Sequence, residues 1–123
     1  MLKFVVGGQI DKKEVAQVIN ELVGDKAEVE VKSDLDAAMA LKNKQADYYF
    51  GACNTGGGGA LAMAIALIGR SNCSTVSMPG NIMSEEKIAE EVQAGKQAFG
   101  FTAQHKDTVL PIIVKEILKK EDK

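Results

Sequence analysis

The fold is decided by residues 48–59, which read Tyr48-Tyr49-Phe50-Gly51-Ala52-Cys53-Asn54-Thr55-Gly56-Gly57-Gly58-Gly59. The run from Tyr48 to Ala52 is continuously apolar, which predicts a strand in the middle of a sheet that is covered on both faces. The run from Leu61 to Ile68 follows the glycines and is apolar on every side, which predicts a buried helix. A strand, a glycine-rich loop and a helix therefore follow one another directly, as in a β–α–β unit.

The alternation of strand and helix continues on both sides of this segment. Short apolar or alternating runs predict four more strands, and helical spacing of apolar residues predicts a helix after each of them. Asp11, Ser33 and Ser84 stand where side chains cap the first, second and fourth helices. The additional strands are predicted over Leu2–Val6, Glu28–Val31, Ser74–Ser77 and Ala98–Thr102.

This alternation predicts a three-layer α/β fold, in which a five-stranded parallel sheet lies between two layers of helices. Because crossovers are right-handed, five such units favour a Rossmann-like or flavodoxin-like sheet with the strand order 2-1-3-4-5. The chain has 123 residues, a usual size for one domain, and no linker or low-complexity segment divides it. We therefore expect residues 1–123 to form a single α/β domain.

Composition and charge exclude several classes of partner. Hydrophobic residues make up 46% of the chain and charged residues 26%, while the net charge is -2 without a basic stripe, so nucleic acid is not an expected partner. The longest apolar run, Ala60 to Ile68, is shorter than the roughly 20 residues that span a bilayer, so membrane insertion is not expected. The amino terminus does not have the pattern of a signal peptide, which favours a cytoplasmic location.

The sequence also predicts neither a metal nor a cofactor. Cys53 and Cys73 do not match any metal-ligand spacing. The glycine loop lacks the Gly-Lys-Ser/Thr ending of a Walker motif, and no well-formed dinucleotide fingerprint surrounds it.

The predicted sheet places several polar and glycine residues at one edge. Ligands of such sheets bind beyond the carboxyl ends of the strands, where the strand order reverses. Backbone amides at the start of a helix are a ready site for an anion. We therefore predict that a small anionic metabolite binds the Cys53–Gly59 loop; the alternative is a tight turn whose small residues serve packing. The candidate ligand-binding residues are Gly8, Gln9, Asn54, Thr55, Gly56, Gly57, Gly58, Gly59 and Asn81.

Two side chains at the same edge are candidates for catalysis. A thiol near a helix start, as at Cys53, is a candidate nucleophile or proton acceptor, although a small buried hydrophobe is the alternative interpretation. His105 is the only histidine and follows the last predicted strand, where it is either an acid/base group or a surface or helix-capping residue. In the predicted order the strands before Cys53 and His105 are about 10 Å apart, so we do not expect direct contact.

The helix that follows the glycine loop lacks a polar face. A domain of this size has too few layers to cover such a helix on all sides, so part of Ala60–Ile68 is expected to pack against another subunit. The sequence thus predicts a homo-oligomer.

Over nearly its whole length, the chain resembles the YhfU-like family of small uncharacterised bacterial proteins. That resemblance implies a bacterial cytosolic protein. The residues that carry it are Asp36-Ala37-Ala38-Met39, Gln45-Ala46-Asp47-Tyr48-Tyr49, Gly51-Ala52-Cys53-Asn54-Thr55-Gly56, Lys96-Gln97-Ala98-Phe99-Gly100 and His105.

A second, local resemblance covers residues 46–58, which are similar to the strand and Cys-Gly-Thr-Gly loop of type B ribose-5-phosphate isomerases. It implies that Cys53 is the catalytic base and that Thr55 and the amides of residues 56–58 stabilise an enediolate oxyanion. The chain departs from that pattern at Asn54, where the isomerases have a glycine. It also has Gly7-Gly8-Gln9 where they have an Asp-His pair.

Three functions follow from these interpretations. The first is binding of a phosphorylated or carboxylated metabolite, with sugar-phosphate isomerase chemistry at Cys53. The second is a non-enzymatic binding or carrier subunit that works with a membrane transporter, and the third is a structural oligomer whose glycines serve packing.

Overall fold

The computed structural model describes residues 2–54 and 58–121. Two short 3-10 helices span Arg70–Asn72 and Ala103–His105. In chain order the other elements are β1 Leu2–Gly8, α1 Lys12–Val23, β2 Ala27–Val31, α2 Asp34–Lys42, β3 Tyr48–Cys53, α3 Gly58–Ile68, β4 Cys73–Thr75, β5 Ser77–Met78, β6 Asn81–Ile82, α4 Glu85–Gln93, β7 Ala98–Thr102 and α5 Lys106–Glu121.

The predicted fold class is confirmed. Strands β1, β2, β3, β4 and β7 form one parallel sheet with helices on both faces. Helices α2 and α3 cover one face and pack around Val5, Tyr49 and Leu61. Helices α1, α4 and α5 cover the other face, where Phe50 and Phe99 belong to the larger core cluster.

The order of the last two strands of this sheet differs from the predicted order. The sheet runs β2-β1-β3-β7-β4, so Ala98–Thr102 lies beside β3 and Cys73–Thr75 lies at the edge. The physical reason is visible in burial: β7 is buried at all five residues, whereas β4 has three residues and only two are buried. A strand that is apolar on both faces is most stable in the interior of a sheet. The predicted order 2-1-3-4-5 is therefore wrong at its last two positions.

The predicted strand Ser74–Ser77 is divided into two elements. β4 ends at Thr75, and Ser77 begins β5, which pairs with β6 in a separate antiparallel hairpin. The two hairpin strands have two residues each and are joined through Gly80, whose φ is +74°. Such a turn needs a positive φ, which glycine adopts without steric cost.

Two of the three predicted helix caps are confirmed. The Ser33 hydroxyl accepts a hydrogen bond of 3.1 Å from the Asp36 amide, and the Ser84 hydroxyl accepts one of 3.2 Å from the Lys87 amide. Asp11 precedes α1 as predicted, but its φ is +55° and its side chain does not cap the helix. Its carboxylate instead accepts from Lys106 Nζ at 3.5 Å, which joins the starts of α1 and α5.

Among the helices in residues 2–54 and 58–121, none is long and apolar enough to cross a membrane. The most apolar of them, α3, has 11 residues.

Candidate functional site

The carboxyl ends of β1, β3 and β7 lie side by side at one edge of the sheet. Gly8 is the register partner of Ala52, and Cys53 is the register partner of Thr102. We call this line of strand ends the carboxyl edge; it is distinct from the lateral edges of the sheet, which are formed by β2 and β4. Asn54 follows β3 and is exposed, and Gly58 begins α3. The candidate residues Thr55, Gly56 and Gly57 lie outside the described residues.

Gly8 holds the turn after β1 against the end of β3. Its φ is +84°, and a Cβ atom there would stand 2.5 Å from the backbone nitrogen of Ala52. The next amide, that of Gln9, donates a hydrogen bond of 2.9 Å to the Ala52 carbonyl, while the residue itself is exposed. Both the close approach and the positive φ require glycine at position 8.

Cys53 and His105 are closer in the fold than the predicted strand order implies. Because β3 and β7 are neighbours, their backbones are about 4.8 Å apart instead of about 10 Å. Cys53 is 2% exposed and lies beside Thr102, and His105 closes the 3-10 helix that follows that residue. The corrected order therefore brings both candidate catalytic residues to neighbouring strand ends.

Tyr49 is a central residue of the site region that the sequence pattern does not single out. Its buried hydroxyl accepts a hydrogen bond of 3.1 Å from the Gly8 amide and donates one of 2.7 Å to the Ala60 carbonyl. Burial raises the pKa of Tyr49 well above its usual value, and the nearby charge of Asp34 raises it further. The hydroxyl therefore stays protonated and joins the end of β1 to the first turn of α3.

Gly7 and Gly51 make room for the Tyr49 side chain. A Cβ atom at Gly7 would stand 2.8 Å from the Tyr49 ring, and one at Gly51 would stand 2.8 Å from the Ala60 carbonyl oxygen. Two glycines on adjacent strands, opposite an aromatic residue, are the sequence feature from which this contact could have been inferred.

Asp34 is a second residue of this region that the sequence pattern does not mark. It is the first residue of α2, and its Oδ1 atom is buried without a hydrogen-bond partner. Desolvation raises the pKa of Asp34, while the charge of Lys12 and a hydrogen bond from the Gly8 amide oppose that shift. The Lys12 ammonium therefore lies near this carboxylate, and its Nζ atom also donates to the Lys32 carbonyl at 3.3 Å.

Asn81 lies on the β5–β6 hairpin, which contacts the carboxyl end of β7: the Ser77 hydroxyl at the start of β5 accepts a hydrogen bond of 3.0 Å from the Thr102 amide. Asn81 itself is exposed in β6 and lines a cavity of about 310 Å³ with Val76 and Met83. Arg70, the only arginine in the sequence, precedes the amino end of β4 and so lies toward the opposite edge of the sheet. In the described ranges, 2–54 and 58–121, no cluster of three or more His, Cys, Asp or Glu side chains has the arrangement to hold a metal ion.

The sequence profile of the family described as "Protein of unknown function DUF2620" matches residues 2–117. The chain belongs to the DUF2620 family. This DUF2620 chain is 37% identical over 117 residues to the uncharacterised protein YhfU of Escherichia coli strain K12 and of Shigella flexneri. The match covers 95% of this chain and 99% of each relative, which confirms the resemblance seen in the sequence.

The fold of this DUF2620 protein is similar to that of type B ribose 5-phosphate isomerase from Trypanosoma brucei. The TM-score is 0.66 at 13% sequence identity, and the match covers 97% of this chain and 86% of the isomerase chain. The likeness thus extends over the whole α/β fold and not only over the segment around Cys53.

Proposed function

We propose that this protein binds a small anionic metabolite, phosphorylated or carboxylated, at the carboxyl edge. The observation that carries the proposal is the adjacency of β3 and β7, which sets Cys53 and Thr102 side by side with α3 beginning a few residues after Cys53. The first amides of a helix lack intrahelical partners, and an anion satisfies several of them together. The proposed ligand-binding residues are Gly8, Gln9, Asn81 and the Asn54–Gly59 segment.

The proposed reaction is an isomerisation of the sugar-phosphate type. The Cys53 thiolate would take a proton from the carbon beside a carbonyl group, which leaves an enediolate and a thiol. The thiol then returns the proton to the neighbouring carbon, so atoms and electrons balance without an oxidant or a reductant. Backbone amides of the loop and Thr55 would stabilise the enediolate oxygen, and His105 would move the proton between the two oxygens. The fold likeness to a ribose 5-phosphate isomerase supports this assignment.

Nuclear magnetic resonance titration tests the binding step. Inorganic phosphate and ribose 5-phosphate are expected to shift the amides between Cys53 and Ala60 at millimolar concentration. Gly57→Val should abolish those shifts while the rest of the spectrum stays unchanged, because a branched side chain would stand between the loop amides and the ligand. If neither compound shifts any of these amides, the anion site is wrong and the glycines serve packing.

The two cysteines provide a matched test of the chemistry. Cys53→Ser is expected to keep binding and to lose turnover, whereas Cys73→Ser should keep both, because Cys73 begins β4 and lies toward the opposite edge. Retained turnover in Cys53→Ser would contradict the catalytic role. Stable transfer of a phosphoryl group to Cys53 from a phosphorylated donor protein would instead indicate the carrier function.

A specific observation also favours a homo-oligomer. Leu35 and Met39 on α2 are 52% and 38% exposed, and Met63 on the neighbouring helix α3 is 40% exposed. We call these three side chains the α2–α3 patch. Exposed apolar side chains that cluster on one layer mark association surfaces, so we propose that a second copy of the chain covers this patch. We also propose a cytoplasmic location, which fits the fact that Cys53 and Cys73 do not form a disulfide.

A further inference from the structure

Buried polar atoms without partners are confined to one part of the described chain. They are Asp34 Oδ1, Thr102 Oγ1 and His105 Nδ1, and all three belong to segments at the carboxyl edge. Native proteins leave few such atoms, because each loses its hydrogen bonds to water without a replacement. Three of them at the edge where α/β proteins bind ligands therefore point to a ligand group that supplies the partners.

Thr102 is the most enclosed of the three residues, since it is 4% exposed. It is the register partner of Cys53 on the neighbouring parallel strand, so both side chains point to the same face of the sheet. Tyr49 and Ala98 lie an even number of residues before Cys53 and Thr102 in the same strands, so all four side chains point to one face. Because Tyr49 and Ala98 belong to the core beneath α2 and α3, that face is the one covered by these two helices.

Asp34 lies on the same face, at the start of α2. It lies near the Gly8 amide and the Tyr49 hydroxyl, because that amide lowers the pKa of Asp34 and the charge of Asp34 raises the pKa of Tyr49. The Tyr49 hydroxyl pairs with Gly8 and Ala60, and Lys12 Nζ donates to the Lys32 carbonyl. Neither group donates to the buried Asp34 Oδ1, so that oxygen is able to accept a hydrogen bond from a ligand.

We infer that Asp34 and Thr102 complete the site and that each binds a hydrogen-bond donor that the ligand carries in addition to its anionic group. The inference rests on the proposed anion site and specifies the other end of the ligand. An ionised carboxylate only accepts hydrogen bonds, a hydroxyl accepts as well as donates, and an unprotonated Nδ1 accepts. The complementary ligand group is therefore a hydroxyl or an ammonium group, because a simple anion leaves the Asp34 oxygen without a partner.

Three phosphate esters with five-carbon chains distinguish the contribution of each donor type to affinity from the contribution of the anion. Pentyl phosphate carries only the anion, ribose 5-phosphate adds hydroxyls, and 5-aminopentyl phosphate adds an ammonium group. We expect ribose 5-phosphate or 5-aminopentyl phosphate to bind about tenfold tighter than pentyl phosphate, as one well-formed hydrogen bond to a charged group allows. The compound that gains affinity identifies the donor.

Variants then assign the gain to the two residues. Asp34→Asn and Thr102→Val are each expected to lower the affinity gain while they leave the dissociation constant of inorganic phosphate unchanged. Asp36→Asn, an exposed carboxylate in the same helical turn, and Thr108→Val, an exposed threonine on α5, are the matched controls and should keep the gain.

The outcomes separate this inference from the proposed function. If inorganic phosphate and pentyl phosphate fail to bind, the anion site itself is wrong. If they bind and the donor-bearing esters bind no tighter, or if Asp34→Asn and Thr102→Val keep the full gain, water satisfies these buried atoms and the inference is overturned.

Discussion

The hydroxyl of Tyr49 accepts a hydrogen bond of 3.1 Å from the amide of Gly8, where strand β1 ends. The same hydroxyl donates to the Ala60 carbonyl in the first turn of α3. One side chain in β3 therefore sets the positions of two segments that flank the candidate site.

Tyr49→Phe is expected to lower the free energy of unfolding by about 1–3 kcal/mol, because it removes the buried hydroxyl that accepts from the Gly8 amide and donates to the Ala60 carbonyl. Urea denaturation measures this change. Tyr48→Phe is the matched control: its hydroxyl bonds the carboxylate of Glu121 at 3.2 Å in a partly buried position, so a smaller loss is expected. Equal losses in the two variants would contradict the bridging role.

Gly51→Ala is expected to disturb α3, because the new Cβ atom would stand 2.8 Å from the backbone oxygen of Ala60. Overpacking of this kind costs about 1–3 kcal/mol, which thermal denaturation detects. Amide shifts should change at Ala60 and Leu61. Gly80→Ala, which meets nothing within 4 Å, should leave those two amides unchanged.

The strand–helix alternation was sufficient to predict the parallel sheet but not the positions of its last two strands. The spacing of strands and helices in the sequence predicts that a crossover occurs. Which of two strands pairs with β3 depends on which of them buries more apolar surface. Ala98–Thr102 is apolar on both faces and takes the central position, and Cys73–Thr75, which contains Ser74, takes the edge. The composition of the two segments carried this information.

The candidate site shows the same division between local and tertiary signals. The positions of Cys53 and Gly8 at the candidate site were predictable, because each lies at or just after the end of a predicted strand. Tyr49 and Asp34 were not, because their roles depend on contacts between segments far apart in the chain: Tyr49 bonds Gly8 on the neighbouring strand, and Asp34 lies near Gly8 from the start of α2.

The raised pKa of Asp34 predicts a pH-dependent stability difference. Desolvation favours the protonated form in the fold, so this group's contribution to stability is fully present below its ordinary pKa of 3.8 and is lost as pH rises through the raised value. Asp34→Asn should therefore raise the free energy of unfolding at pH 7, and the advantage should shrink as the pH approaches 3.8. Urea denaturation at several pH values measures it, and an advantage that grows toward low pH would contradict the assignment.

Thr102→Val is expected to stabilise the protein without ligand by about 1 kcal/mol, because valine has nearly the shape of threonine and removes a buried hydroxyl that lacks a partner. Thr75→Val, at the half-buried end of the edge strand β4, is the comparison and should change stability less. Calorimetry without phosphate in the buffer measures both. A destabilised Thr102→Val would mean that the hydroxyl is satisfied in the folded protein.

If a second copy of the chain covers the α2–α3 patch, a negative charge placed in that patch should prevent the homo-oligomer from forming. Met63→Glu and Met39→Glu place a carboxylate in the middle of exposed apolar side chains, and a buried unpaired charge at a subunit interface is strongly unfavourable. Each variant is therefore expected to change a homo-oligomer into a monomer at micromolar concentration, as measured by light scattering. Met78→Glu is the matched control, because Met78 is 48% exposed but lies on the β5–β6 hairpin, so this variant should keep the parent mass. A monomeric parent protein, or an oligomer that Met63→Glu and Met39→Glu leave intact, would show that a second copy does not cover the patch.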